Sequence, residues 1–273
     1  DEASADAEAD DAPQAGIDPY FQADGDAGAS ATGAFATAAG SGAIANAPGA
    51  SAFGSGAAAQ AMHTTAVGFD SAASADYASA FGAGAQAAAD SATAIGGQLY
   101  VMNGETWEME AFATIASGRE SVAVGAGARA LAYQSTAIGA GAYAAGEESV
   151  SIGGSARGDS TTAVGVMATA GADHSTAIGK GATTGAMRTL AVGGSSGAFG
   201  DSATALGQVA QAYGTQSVAL GFRSLVVGEG GMALGADAFS IATGSVALGA
   251  NAVADRDFTV SIGADGTERQ LVH

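Results

Sequence analysis

A glycine recurs every fourteen residues through most of this chain, each preceded by a bulky apolar residue and, before that, by a small one. Gly54, Gly68, Gly82 and Gly96 form one ladder, and Gly125, Gly139 and Gly153 a second. Gly165, Gly179, Gly193, Gly207, Gly221, Gly235, Gly249 and Gly263 form a third. Phe, Val, Ile or Leu stands directly before every one, and Ala stands two places before in thirteen of the fifteen copies, with Ser151 and Ser261 the exceptions. A fixed period of this kind marks a repeat protein in which each unit is one coil stacked on the last. Function in such a chain resides in a surface and a shape, not in a single pocket.

Within the copy Ser121-Val122-Ala123-Val124-Gly125, period-two alternation puts Val122 and Val124 on one face of a strand and Ala123 on the other. The bulky column is predicted to form the core, because large apolar side chains favour burial. The near-constant Ala face is predicted to meet something close as well, since a free surface would carry Lys, Glu or Gln. Glycine then ends the strand, at a turn needing positive φ or close backbone approach. The second half of each coil is smaller and more polar, as in Ala126-Gly127-Ala128-Arg129-Ala130. Two short strands and two turns per fourteen residues predict an all-β parallel roll. Recurrent glycine and β-branched residues, without a 3.6-residue stripe, exclude helix. Sixteen coils would make a rod of roughly 70–75 Å. A coil this thin buries too little apolar area to offset its chain entropy. The expectation is a homo-oligomer of cyclic symmetry, packed side by side through the alanine faces.

The pattern breaks twice. Gly96 and Gly125 are one period plus fifteen residues apart, which places an insertion at about 97–112. There Leu99-Tyr100-Val101-Met102 and Thr106-Trp107-Glu108-Met109 flank Asn103-Gly104, a hairpin signal that includes the chain's single Trp. Tyr100 and Trp107 are candidate ligand contacts, because aromatic residues dominate binding hot spots; the alternative is packing on a neighbouring coil or subunit. Between Gly153 and Gly165 a coil of twelve residues holds Arg157-Gly158-Asp159, a tripeptide recognised by integrins in other settings and also suited to a shortened turn. Residues 1–19 are acidic and aperiodic, and are expected to be disordered or to link to an upstream segment.

Composition narrows the function classes. The net charge is −19, and residues 1–118 carry fifteen acids and no base, which disfavours nucleic acid and anionic lipid as partners. Cysteine is absent, so disulfides and thiolate metal sites are excluded. No stretch offers about 20 strongly apolar residues for a membrane helix. Asp173-His174-Ser175 has triad residue types, yet adjacent residues at a strand corner cannot aim at one another. Glycines without a following Gly-Lys-Ser/Thr make no phosphate loop. The expectation is a non-enzymatic chain with no cofactor and no metal. Thr136, Thr162 and Thr176 share a strand position, as in ice-binding lattices, but alternate with Val, Leu and Met.

The copies Ser-Val-Ala-Val-Gly, Ser-Thr-Ala-Ile-Gly, Ser-Val-Ser-Ile-Gly and Ser-Val-Ala-Leu-Gly, spaced by fourteen, resemble the YadA-like head of trimeric autotransporter adhesins of Gram-negative bacteria. The resemblance runs from about Tyr20 to the end: Tyr20-Phe21 followed by Ala29-Ser30-Ala31-Thr32-Gly33 is similar to the family's head start, and Glu268-Arg269-Gln270-Leu271-Val272-His273 to the start of the neck. It implies a head over 20–263, a neck beginning at 264–273, and a left-handed parallel β-roll assembled as a homotrimer. It further implies type V secretion and display on the cell surface, through an outer-membrane anchor lying beyond this sequence. Implied partners are two further copies and a host matrix protein (collagen, fibronectin or laminin) or the host cell. Self-aggregation occurs in some such heads. Collagen-associated copies in the family read Asn-Ser-Val-Ala-Ile-Gly-x-x-Ser. Ser217, Val218, Ala219, Leu220, Gly221 and Ser224 come nearest here, with Gln216 in the Asn place and Leu220 in the Ile place. A structural spacer that displays a more distal binding domain is the alternative reading.

Overall fold

The fourteen-residue period leaves room for two short strands separated by two corners, and the chain fills it that way. The structure, a computed structural model, describes residues 28–104 and 107–272. The expectations for residues 1–19, Tyr20 and Phe21 fall outside these. Two parallel sheets of sixteen strands each run the length of the chain. The first has two-residue strands from Ser30–Ala31 to Val253–Ala254; the second runs from Thr37–Ala39 to Val260–Ser261, in three-residue strands except the last. Each coil contributes one strand to each sheet, so every strand pairs with its equivalents one coil before and after, as Thr204↔Val218, Ala205↔Ala219 and Leu206↔Leu220 do. No helix among the described residues is long and apolar enough to cross a membrane.

The side-chain alternation is real, but its two faces are the reverse of expectation. Alanine fills the inside: Ala52, Ala94, Ala123, Ala137, Ala177, Ala205 and Ala219 are all 0% exposed. The bulky residues beside them point out, with Phe53 36%, Ile95 42%, Ile138 39% and Leu220 44% exposed. Neither the bulky core nor packing of copies through alanine stands. The cause is the shortness of the corners. Four residues, Gly125–Ala128, lead from the strand Val122–Val124 to Arg129–Ala130, and five more lead on to Thr136–Ile138. Sheets held together so tightly admit one methyl or hydroxyl from each strand. Four inward columns of Ala, Ser or Thr meet that limit in nearly every coil, as Ser121, Ala123, Ala128 and Ala130 do in one of them, with Val226 the large exception.

The interior is filled to this limit. Val226, the largest fully buried side chain, stands against Gly231, where an added Cβ would lie 2.9 Å from the Val226 Cγ1. The extra methyls of one residue thus occupy the space a missing side chain leaves across the roll. Most buried hydroxyls are satisfied by corner carbonyls: Ser135 donates to Ala132 O at 2.8 Å, Ser149 to Gly146 O at 2.6 Å and Thr161 to Gly158 O at 2.7 Å, while those of Ser121 and Ser217 have no partner among the described residues.

Thirteen of the fifteen repeat glycines have φ between 109° and 145°, a region closed to other residues. At Gly207 a Cβ would also strike the Gly221 carbonyl at 2.3 Å, so both sequence arguments for glycine apply together. In the twelve-residue coil Gly153 instead has φ 68°, and Gly263, which ends the last coil, shows no positive φ. Two further corner positions are left-handed in nearly every coil, and at one of them stands Val209, with φ 61°. A β-branched residue there is strained by about 1–2 kcal/mol. Val209→Asn is therefore expected to raise stability by about 1 kcal/mol, read as a higher urea midpoint with unchanged slope.

At its end the roll lacks a next coil to hydrogen-bond with. The Arg269 guanidinium supplies two substitute donors, Nη1 to Ile262 O at 2.9 Å and Nη2 to Ala250 O at 2.8 Å. In earlier coils these same carbonyls accept from backbone amides, as Leu234 O does from Gly249 and Ala236 O from Asn251. Arg269 thus caps the stack.

Candidate functional site

The surface, not a pocket, carries the distinctive chemistry. The outer face of the second sheet is an almost unbroken apolar strip: Phe53, Val67, Phe81, Ile95, Val124, Ile138 and Ile152 stand in one column, continued from Val164 to Leu248. Thr, Val, Ser, Leu and Met form a second, mixed column two residues upstream, and Thr136, Thr162 and Thr176 belong to it. From strand spacing and rise, this strip covers about 700 Å². Exposed apolar patches of that size mark interaction sites.

The outer column of the first sheet is mixed over most of its length, with Ala58, Ala72, Ser155, Thr169 and Thr183 alongside Ile44, Ile115, Arg129 and Tyr143. Toward the C-terminal end it changes character. Phe199 stacks on Tyr213 at 5.1 Å between ring centroids, and Leu225, Val227, Phe239, Ile241 and Val253 continue the surface. Arg223, Asp237 and Asn251 line an open groove with Leu225, Phe239 and Val253. Arg223 Nε lies 3.0 Å from the Asp237 carboxylate. This apolar end was missed in the sequence. Its signal is a run of large apolar residues in consecutive coils, Leu225, Phe239 and Val253 four residues after the glycine and Phe199, Tyr213, Val227 and Ile241 six after.

The insertion is a two-stranded antiparallel hairpin, Leu99–Met102 against Met109–Phe112, in the register Leu99↔Phe112 and Met102↔Met109. The second strand begins at Met109, so the loop is longer than an Asn-Gly turn and Trp107 lies in it with φ 58°. Asn103 N donates to Glu108 O and Trp107 N to Asn103 O, at 2.8 and 2.9 Å. The base is anchored: Leu99 packs over Gly127 and Gly141, and the Thr114 hydroxyl lies 2.8 Å from the carbonyls of both Gly97 and Gly125. Leu99 thus packs on the neighbouring coils, while Tyr100 and Trp107, the aromatic candidates, are 58% and 77% exposed.

The residues of the collagen-associated pattern separate. Ser217, Ala219 and Ser224 are 0% exposed inside the roll, and Gly221 carries no side chain; Val218 and Leu220 point outward within the apolar strip of the second sheet. The contact surface of that copy thus reduces to Val218 and Leu220.

Arg157-Gly158-Asp159 lies at a corner of ordinary length, because the two missing residues come from the other turn, Gly153-Gly154. The Asp159 carboxylate accepts from Glu147 N at 2.8 Å, as Asp76 and Asp257 carboxylates do for Met62 N and Thr243 N. It serves stacking. Asp173, His174 and Ser175 diverge: the Asp173 carboxylate accepts from Asp159 N, His174 is exposed, and the buried Ser175 hydroxyl accepts from Thr184. Among the described residues no three His, Asp or Glu side chains gather into a metal-binding group.

The YadA head domain repeat matches in ten segments, 45–71, 73–98, 116–142, 130–156, 156–182, 187–210, 200–224, 212–238, 227–252 and 240–265, together well over half of the chain. The chain belongs to the YadA head family. The gap between the second and third segments contains the hairpin, and the family's repeats run through both sheets. Among solved structures the collagen-binding domain of the Yersinia adhesin YadA is similar, at 24% identity over 65% of this chain and 86% of that one, with a TM-score of 0.36. No curated protein matches this chain. As a YadA-type head, the chain has an adhesin-type role.

Proposed function

We propose that this chain is the head of a bacterial surface adhesin that assembles as a homotrimer through the apolar strip of the second sheet and attaches to host matrix or cells with the outward face of the first. The observation that supports this is the uncovered strip itself. Its area of about 700 Å² is close to the roughly 800 Å² per partner that a stable interface buries. Three copies joined there would place three first sheets on the outside. Each would present the surface formed by Tyr213, Leu225, Phe239 and their neighbours, and avidity would turn weak contacts into firm attachment. Family membership supports the adhesin class and surface display.

Light scattering on the purified chain tests the assembly, with three copies expected. Immobilised collagen, fibronectin and laminin, each titrated with the trimer and with a Leu225→Ser/Phe239→Ser variant, test the binding face. Saturable attachment to at least one, weakened about tenfold or more in the variant, is expected. Trimer that attaches to none would remove the matrix reading.

A further inference from the structure

The hairpin presents more apolar surface than an isolated two-stranded element can leave in water. Tyr100, Met102 and Met109 are 58%, 55% and 58% exposed, Val101 45%, and Trp107 77%. Tyr100 and Met102 share one face of the ladder with Ala111 and Met109, since alternate residues point the same way. The opposite face is tied down at its base by Leu99 on Gly127 and Gly141. A two-stranded hairpin with no third strand and only its base packed is marginally stable at best. Among the described residues, nothing of their own chain covers these side chains.

Its position identifies the cover. The hairpin leaves the roll directly after Gly96, the residue that ends the strand Thr93–Ile95 of the second sheet. It therefore rises from the edge of the apolar strip. Its four-residue strands are about 13 Å long, enough to reach beyond the coil that carries them. Resting on the trimeric reading above, we infer that the hairpin is an intersubunit clasp: Tyr100, Met102, Trp107 and Met109 close over an adjacent copy of this chain. The neighbouring copy is the occupant because one continuous apolar surface, strip and hairpin together, meets one partner. A host ligand would have to reach the same surface at the edge where the copies join.

Trp107 is the chain's single Trp, so its fluorescence reports on the clasp alone. Light scattering and acrylamide quenching are measured on the same sample of the full chain. Three copies by mass, with Trp107 emission shifted to the blue and quenching several-fold weaker than for tryptophanamide, is the expected result. A Met102→Ser/Met109→Ser variant should restore quenching and raise the dissociation constant of the trimer about tenfold or more. Three copies by mass with Trp107 as quenchable as tryptophanamide would overturn the clasp, leave the trimer standing and free the hairpin for a host ligand. A single copy by mass would instead overturn the assembly on which the clasp rests.

Discussion

Leu206→Glu is expected to convert the assembled protein to single chains. Leu206 lies in the outward column of the second sheet, between Val192 and Leu220 of the adjoining coils. When copies meet through this strip, each introduced carboxylate enters an apolar contact without a cation. Removing an unpaired charge from water costs about 3–5 kcal/mol, and three copies bring three of them together. Scattering mass at micromolar concentration should fall from three copies to one. Because the side chain points away from the interior, the strand pairing of this position with its neighbours is untouched and the β-sheet circular dichroism should persist. A trimer of unchanged affinity would mean that the strip is not the joint.

One residue earlier the expected effect is of a different kind. Ala205→Leu places three extra carbons into an interior that already trades volume residue by residue, as Val226 and Gly231 show. Ala205 is 0% exposed, with Ala191 and Ala219 directly beside it in the sheet. Overpacking in ordinary cores costs about 1–3 kcal/mol because neighbouring side chains can shift. Here the neighbours are methyl groups that have nowhere to move, so the two sheets themselves must part, and a loss of at least about 3 kcal/mol is expected. Urea unfolding measures it. Ala205→Ser is the comparison: it adds one oxygen instead of three carbons at the same place, so a clearly smaller loss is expected.

The contrast between positions 205 and 206 also marks where the sequence could be read and where it misled. The fourteen-residue period, the two strands per coil, the turn glycines and the hairpin were all legible, because each follows from local geometry: alternation, positive φ and turn residues. Which face is the inside was not, because alternation separates two faces without ranking them. The usual rule that large apolar residues are buried then pointed the wrong way. The deciding signal was present in the small residues. Ser121, Ala123, Ala128 and Ala130 form four columns that stay small through nearly every coil, whereas the outward columns of the second sheet vary from Ser and Thr to Val, Leu, Ile, Met and Phe. A narrow interior constrains volume more strictly than an interface does. The motif-based contacts suffered from the same ambiguity. Ser217 and Ser224 look like surface hydroxyls in a linear pattern, yet the coil turns both inward. The apolar end of the first sheet went unseen because Leu225, Phe239 and Val253 are fourteen residues apart and align only once the coils are stacked.

The chain contains no cysteine, which allows a direct test of which face lies inside and which joins the copies. Cysteine is placed singly at Ala191, Ala205 and Ala219, and singly at Val192, Leu206 and Leu220; each native protein is then oxidised and run unreduced on a denaturing gel. Covalently linked copies are expected from the second set, with the thiols of the first set unlinked and unreactive until the protein unfolds. Linked copies from positions 191, 205 and 219, with 192, 206 and 220 silent, would contradict the account.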